Sequence, residues 1–244
     1  TRADRLASYG YAAGVAPVLD QLAHNSLRYA RCYAPAPVTL PSHTSLLTGL
    51  YPFRHGLHDN GAGCLDDAAV TLAEVLRDHG YQTGAVVGAY VLHSRFGLSQ
   101  GFDFYEDDIG GTETQSAFFF AERPANAVTD AALDWTDTLD SARPFFLWVH
   151  YFDPHMPYAP PGMPDGADEG RRYDGEITFA AQQLERLMRE IERMREVTGR
   201  ETLLVFAADH GESLWEHGEP THGMLVYNAT LHVPLIVHVP SISA

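Results

Sequence analysis

Four dense apolar runs do most to limit how this chain can fold. They are YQTGAVVGAYV at 81–91, PFFLWVHYF at 144–152, TLLVFAA at 202–208 and HVPLIVHV at 232–239. Each is bounded by turn residues and is short for a helix, so each reads as a buried strand. Stretches of helical spacing lie between them. Residues 15–27 place Val18, Leu19, Leu22 and Leu27 on one face, and 71–80 form an amphipathic stretch stopped at Gly80. Residues 126–140 read as a helix. Residues 173–197 read as a long one, with Ile177, Leu184, Leu187, Met188 and Ile191 facing a core. SLRYARCY is a short strand, and 42–49 a short helix. Strands alternating with helices predict an α/β fold: a mostly parallel central sheet with helices on both faces. Residues 105–123, acidic and then aromatic, read as a long loop bordering a site.

The 244 residues suffice for a single large domain with a buried core. The net charge of −16, from 32 acidic against 16 basic residues, excludes a nucleic-acid partner, which calls for a basic face. It does not exclude a small anionic substrate, because a bound metal reverses the local field. No apolar run approaches the ~20 residues of a transmembrane helix. Cys32 and Cys64 read as two ordinary thiols rather than a disulfide framework. The chain opens on TRADRLASYGY without Met and ends on PLIVHVPSISA, so both ends read as cut from a longer protein.

Thirteen histidines are many for this length, and several neighbour acids and glycines in FDPHMPY, ADHGE and EHGEPTHG. Asp153 and His155 follow the 144–152 run, and Asp209 and His210 follow 202–208. Ligands of open α/β sheets bind beyond the carboxyl ends of strands, so two acid–imidazole pairs at such ends suggest a site. Turn chemistry is the other reading of the same residues. A second focus is APVTLPSHTSLLTGLYP at 36–52, where Thr39 is either a helix cap or a nucleophile. Asn60, before Gly61, is either a turn residue or an amide donor. Asp4 and His217 receive no role.

Taken in order, these motifs resemble the sulfatase-type branch of the alkaline phosphatase superfamily. TRADRLASYGY resembles the segment after that family's first strand. TLPSHTSLLTGLYPFRHG resembles its nucleophile motif, with Thr39, Pro41, Ser42, Leu46, Thr48 and Gly49 in place. TLAEVLRDHGYQTGAVVG resembles the next helix and strand, and FDPHMPYAPP a substrate loop. RYDGEITFAAQQLERLM resembles the long helix, and ADHGESLWEHGEPTHG the second metal motif. The resemblance implies Asp209, His210 and Thr39 as ligands of a divalent metal, with Thr39 also the nucleophile. It implies that His155, His222 and Asn60 hold the ester or protonate its leaving group, with His43 beside them in the substrate set. His222 stands where many relatives carry Lys. The acid–imidazole pair favours zinc or manganese over calcium or magnesium.

Some positions depart from the family. Sulfatases oxidise a Cys or Ser to formylglycine, and a threonine oxidises to a ketone instead. The motif Arg is His43, and a Lys-x-His pair is replaced by Gly88 and Tyr90. These changes lead to the expectation of a metal-dependent phosphate mono- or diester hydrolase working through Thr39. The alternatives are an arylsulfatase-like sulfuric ester hydrolase, a phospho-alcohol transferase, or a non-catalytic anion-binding domain. The resemblance also implies that a first strand, with a metal-ligand Asp, precedes Thr1 and that a C-terminal subdomain follows residue 244. Relatives are often exported, which leaves the compartment open.

Overall fold

The expected strands form where a partner can take up their backbone hydrogen bonds. The computed structural model describes residues 1–110, 123–164 and 166–240. In chain order its elements are α1 (Pro17–His24), β1 (Leu27–Arg28), β2 (Cys32–Tyr33), α2 (Thr39–Thr48), α3 (Pro52–His55) and α4 (Leu72–Asp78). There follow β3 (Gln82–Val87), β4 (Phe104–Glu106), α5 (Ala125–Thr136), β5 (Phe145–His150) and α6 (Glu169–Thr198). The last are β6 (Leu204–Ala207), α7 (Asn228–Leu231), β7 (His232–Val233) and β8 (Leu235–His238). Two compact units divide these elements: Val38–Phe152, and Thr1–Pro37 together with Asp153–Ala244.

In Val38–Phe152 the parallel pairing expected from the strand–helix alternation is present. The order is β4-β3-β5, with β3 parallel to both neighbours. Thr83 through Val87 of β3 are buried, as a central strand requires. Gly84 is there because α5 comes close: a Cβ would lie 2.5 Å from the Trp135 ring. α4 starts on a capping box, with Thr71 accepting from Glu74 N and the Glu74 carboxylate accepting from Thr71 N. Leu40, Leu47, Leu57, Leu65, Val87, Leu92 and Leu98 form the core. Each such buried side chain contributes roughly 1.5–3 kcal/mol. The expected 105–123 loop is corrected at its start, since Tyr105 and Glu106 belong to β4. Residues 111–122 lie outside the described residues.

In the other unit the pairing is antiparallel, β1-β8-β6 in one sheet and β2-β7 in another. The single strand expected over 232–239 is two. Pro234 has no N–H to give a ladder, so the chain changes partner there. Val233 pairs with Cys32, and Leu235 with Ala207. The long helix runs further than its apolar spacing indicates, because Asp168 caps it by accepting from Arg171 N. Its buried face brings Tyr173, Ile177 and Ala181 into one core with Leu19, Leu22 and Ile236.

Candidate active site

The unit containing both chain ends gathers four of the sequence-expected residues. β6 ends at Ala207, and Asp209 and His210 follow it as expected. Gly211 lets this turn press on the backbone before β7: a Cβ there would sit 2.0 Å from the Ala229 carbonyl oxygen. Gly211 N donates to Thr230 O at 2.7 Å and Glu212 N to Ala229 O at 2.9 Å. The turn is therefore fixed by backbone on both sides. His155 is placed from α6, where Glu176 accepts the His155 N–H at 2.9 Å and the Ala159 N–H at 2.6 Å.

Three imidazoles meet here in one tautomeric pattern. His155 Nδ1 donates to Met156 O at 2.6 Å, His222 Nδ1 to Pro37 O at 2.8 Å, and His210 Nδ1 to Gly211 O at 2.8 Å. A carbonyl can only accept, so each Nδ1 carries the proton and each Nε2 a lone pair. His155 Nε2 lies 3.1 Å from His222 Nε2, and His210 Nε2 lies 3.2 Å from Asp209 Oδ2. The His210 and His222 rings are 4.0 Å apart at 30°. Burial, then the neighbouring His222, pushes the His155 imidazole down to about 4. Burial, then His210, pushes His222 down to about 3. Burial also lowers His210. The cluster holds neutral rings at neutral pH.

Glu212 belongs with this cluster, and the sequence reading assigned it nothing. It is 2% exposed and accepts from Thr221 Oγ1 at 2.7 Å, and burial pushes its carboxyl up to about 8. The signal was its place three residues after Asp209 in ADHGE. Asp4, left without a role, takes the Arg2 guanidinium through both carboxylate oxygens. Arg2 in turn donates to Glu212 O at 3.1 Å and Glu216 Oε1 at 2.7 Å. Beside these lies an open cleft of about 440 Å³ lined by Arg2, Asp4, Glu216, His217, Tyr227 and Asn228. Trp215 and His217 both hold positive φ, at 71° and 60°. The Trp215 indole donates to Glu169 at 2.7 Å, and His217 stacks on Tyr227 at 3.6 Å.

Thr39, His43 and Asn60 belong to Val38–Phe152. α2 begins three residues before the expected 42–49, and its cap position is Val38. Thr39 is thus the first helical residue, buried at 6% exposure, and is not the cap. Asn60 supplies what a cap would: its Oδ1 accepts the Leu40 N–H at 2.8 Å. That leaves its amide NH₂ as the donating end, as a substrate contact would need. His43 is buried one turn along, edge-on to His150 at 4.8 Å and near the Trp148 ring at 5.3 Å.

A family model described as Sulfatase matches residues 1–244, and the chain belongs to the sulfatase family, within the alkaline phosphatase superfamily. N-acetylglucosamine-6-O-sulfatase of Bacteroides thetaiotaomicron is 28% identical over 156 residues, covering 59% of this chain and 27% of that protein. Arylsulfatase A of Bos taurus is 44% identical over 84 residues, covering 32% of this chain and 17% of that one. The chain therefore aligns with well under half the length of these relatives. A solved 2-O GAG sulfatase is similar in fold, with a TM-score of 0.76 at 16% identity over 99% of this chain and 62% of that one. No helix among the described residues is long and apolar enough to cross a membrane.

Two expectations are overturned. The expectation of phosphate-ester cleavage through Thr39 is overturned by the comparisons, since the matching family and the relatives named above are sulfatases. Thr39, His43, Gly88 and Tyr90 depart from the sulfate-handling pattern, yet they do not select phosphorus, since both esters present a tetrahedral anion. The preference for zinc or manganese falls as well, because this family typically carries Ca²⁺. His210 misled the reading, since an imidazole beside a carboxylate looks like a nitrogen donor set. The hard oxygens of Asp209 suit calcium. The pair also fits a cation in its geometry: a lone pair facing a carboxylate at 3.2 Å repels unless positive charge lies beside both.

Proposed function

We propose that this chain carries the catalytic segment of a sulfuric-ester hydrolase acting on a small anionic sulfate ester. The observation that carries the reading is the His155–His222 pair, anchored through Nδ1 beside Asp209 and His210 in a chain matched end to end by the sulfatase family. Asp209 and His210 would hold the divalent cation, and the family's nucleophile motif assigns the Thr39 oxygen to the same ligand set. When bound, that cation neutralises charge on the ester's non-bridging oxygens.

The side chains account for the rest. With Nδ1 committed, His155 or His222 can donate from Nε2 only after its ring takes a second proton. An anionic ester beside the rings favours that protonation. The imidazolium then gives its Nε2 proton to the leaving alcohol oxygen as the S–O bond breaks. Asn60, its oxygen held by Leu40 N–H, offers its amide NH₂ to a non-bridging oxygen, with His43 in the same substrate set. Thr39 stands at the family's nucleophile position. Its Oγ attacks sulfur, losing its proton to water, and a threonine sulfate ester forms as the alcohol leaves. Threonine cannot give the aldehyde hydrate that expels sulfate, so release requires water to attack sulfur, and this second step is slow.

The relatives' names make aryl sulfates and sulfated amino sugars the substrates to try. Incubation with Ca²⁺ and either 4-nitrophenyl sulfate or 4-nitrophenyl phosphate tests the reading. The expected result is alcohol release from the sulfate alone, with one SO₃ added to the Thr39 peptide. Faster release from the phosphate, or none from the sulfate, overturns it.

A further inference from the structure

We propose that His155, His222 and Glu212 form a zinc-binding site, separate from the Asp209–His210 pair, and that filling it blocks the sulfate-ester reaction. One donor atom from each residue lies within 4.8 Å of the others. The two Nε2 atoms are 3.1 Å apart. That is close to the edge of a tetrahedron drawn around zinc with bonds of about 2.0–2.1 Å, which comes to roughly 3.3 Å. The tautomers supply the second argument. Both Nδ1 protons point to carbonyls, so two lone pairs face one another across that gap. A metal ion set in that gap would accept both lone pairs at once.

The supporting contacts are those of a pre-arranged site. Backbone carbonyls of Met156 and Pro37 fix the two rings, and the Thr221 hydroxyl steadies Glu212. Partners of this kind orient metal ligands and raise their basicity. Two imidazoles and one carboxylate suit zinc, with a fourth position left for water or an anion. Zinc on both Nε2 atoms removes the atoms that would carry the proton to the leaving group. This inhibitory half rests on the sulfuric-ester reading; the binding half does not.

Titration calorimetry of the chain with ZnCl₂, in excess Ca²⁺, tests the binding half. Cobalt(II) serves as a visible-absorption probe of tetrahedral geometry. The expected result is one zinc per chain and a tetrahedral cobalt spectrum. Glu212→Gln and His222→Ala should each weaken zinc binding more than tenfold, with circular dichroism confirming the fold. Thr221→Val keeps every ligand and should weaken it about tenfold. No zinc bound, or equal affinity in all three variants, overturns the site. For the inhibitory half, saturating zinc should stop 4-nitrophenyl sulfate turnover. Thr221→Val should shift the inhibitory concentration in step with its zinc affinity. Zinc that binds without slowing turnover overturns inhibition and leaves the site standing. A chain with no turnover in any condition defeats the functional reading, while calorimetry still decides the site.

Discussion

Glu176, 5% exposed on the long helix, accepts the backbone N–H groups of both His155 and Ala159. One carboxylate thus sets the path of the segment that presents the His155 imidazole. Glu176→Ala strands two N–H donors, each worth about 1–3 kcal/mol when left without an acceptor. The expected loss is roughly 2–6 kcal/mol in chemical denaturation, with sulfate-ester turnover falling along with it. Glu176→Gln keeps one acceptor oxygen and should lose less.

Asn60 holds the start of the helix that begins at Thr39. Asn60→Ala removes the acceptor for Leu40 N–H and should cost about 1 kcal/mol in urea unfolding. Asn60→Asp retains the acceptor, so its stability should stay near the parent's. It has no NH₂ to offer an anion, however, so KM for a sulfate ester should rise. A fall in stability as large as that of Ala would show that the bond to Leu40 is not what Asn60 contributes.

Acid should unfold this chain early. His155 and His222 have folded-state values depressed to about 4 and about 3 from an ordinary 6.5. Between those limits the unfolded chain binds protons that the folded chain refuses, so stability rises with pH. It is therefore fully present above about pH 6.5 and is lost on acidification toward pH 4. For His155 alone the loss reaches roughly 3 kcal/mol. Denaturant melts at stepped pH should show this slope, and His222→Asn should flatten it. A flat profile in the parent chain would count against the buried neutral pair.

Thr39 makes the slow step testable. Thr39→Ala should abolish both alcohol release and the SO₃ adduct. Thr39→Cys with His43→Arg, produced alongside a formylglycine-generating oxidase, should restore an aldehyde and raise steady-state turnover by more than tenfold. Unchanged turnover would mean that release from Thr39 does not limit the rate.

The sequence made the strand and helix positions readable because apolar periodicity reports burial directly. The 81–91 and 144–152 runs became β3 and β5, paired in parallel. Pairing direction elsewhere was not readable, since β6 and β8 carry the same kind of apolar run yet meet antiparallel. Asp209, His210 and His155 stood out as chemistry after strand ends, and His222 only through its place in the family's second metal motif. Glu212 and Glu176 did not, because a carboxylate in a sequence looks like surface until its buried partners are known. Thr39 was recognisable by motif, but Asn60's hold on Leu40 joins residues 20 apart and leaves no local pattern.

Trp215 and His217 occupy left-handed turns that glycine would adopt without penalty, and each accepts on the order of 1 kcal/mol of backbone strain to be there. Glycine at either position would relieve that strain, but it would give up the Trp215–Glu169 hydrogen bond or the His217–Tyr227 stack and loosen the unfolded chain, so the gain is offset. The strained backbone thus fixes where the His217 ring stands in the wall of the cleft it shares with Arg2 and Asp4.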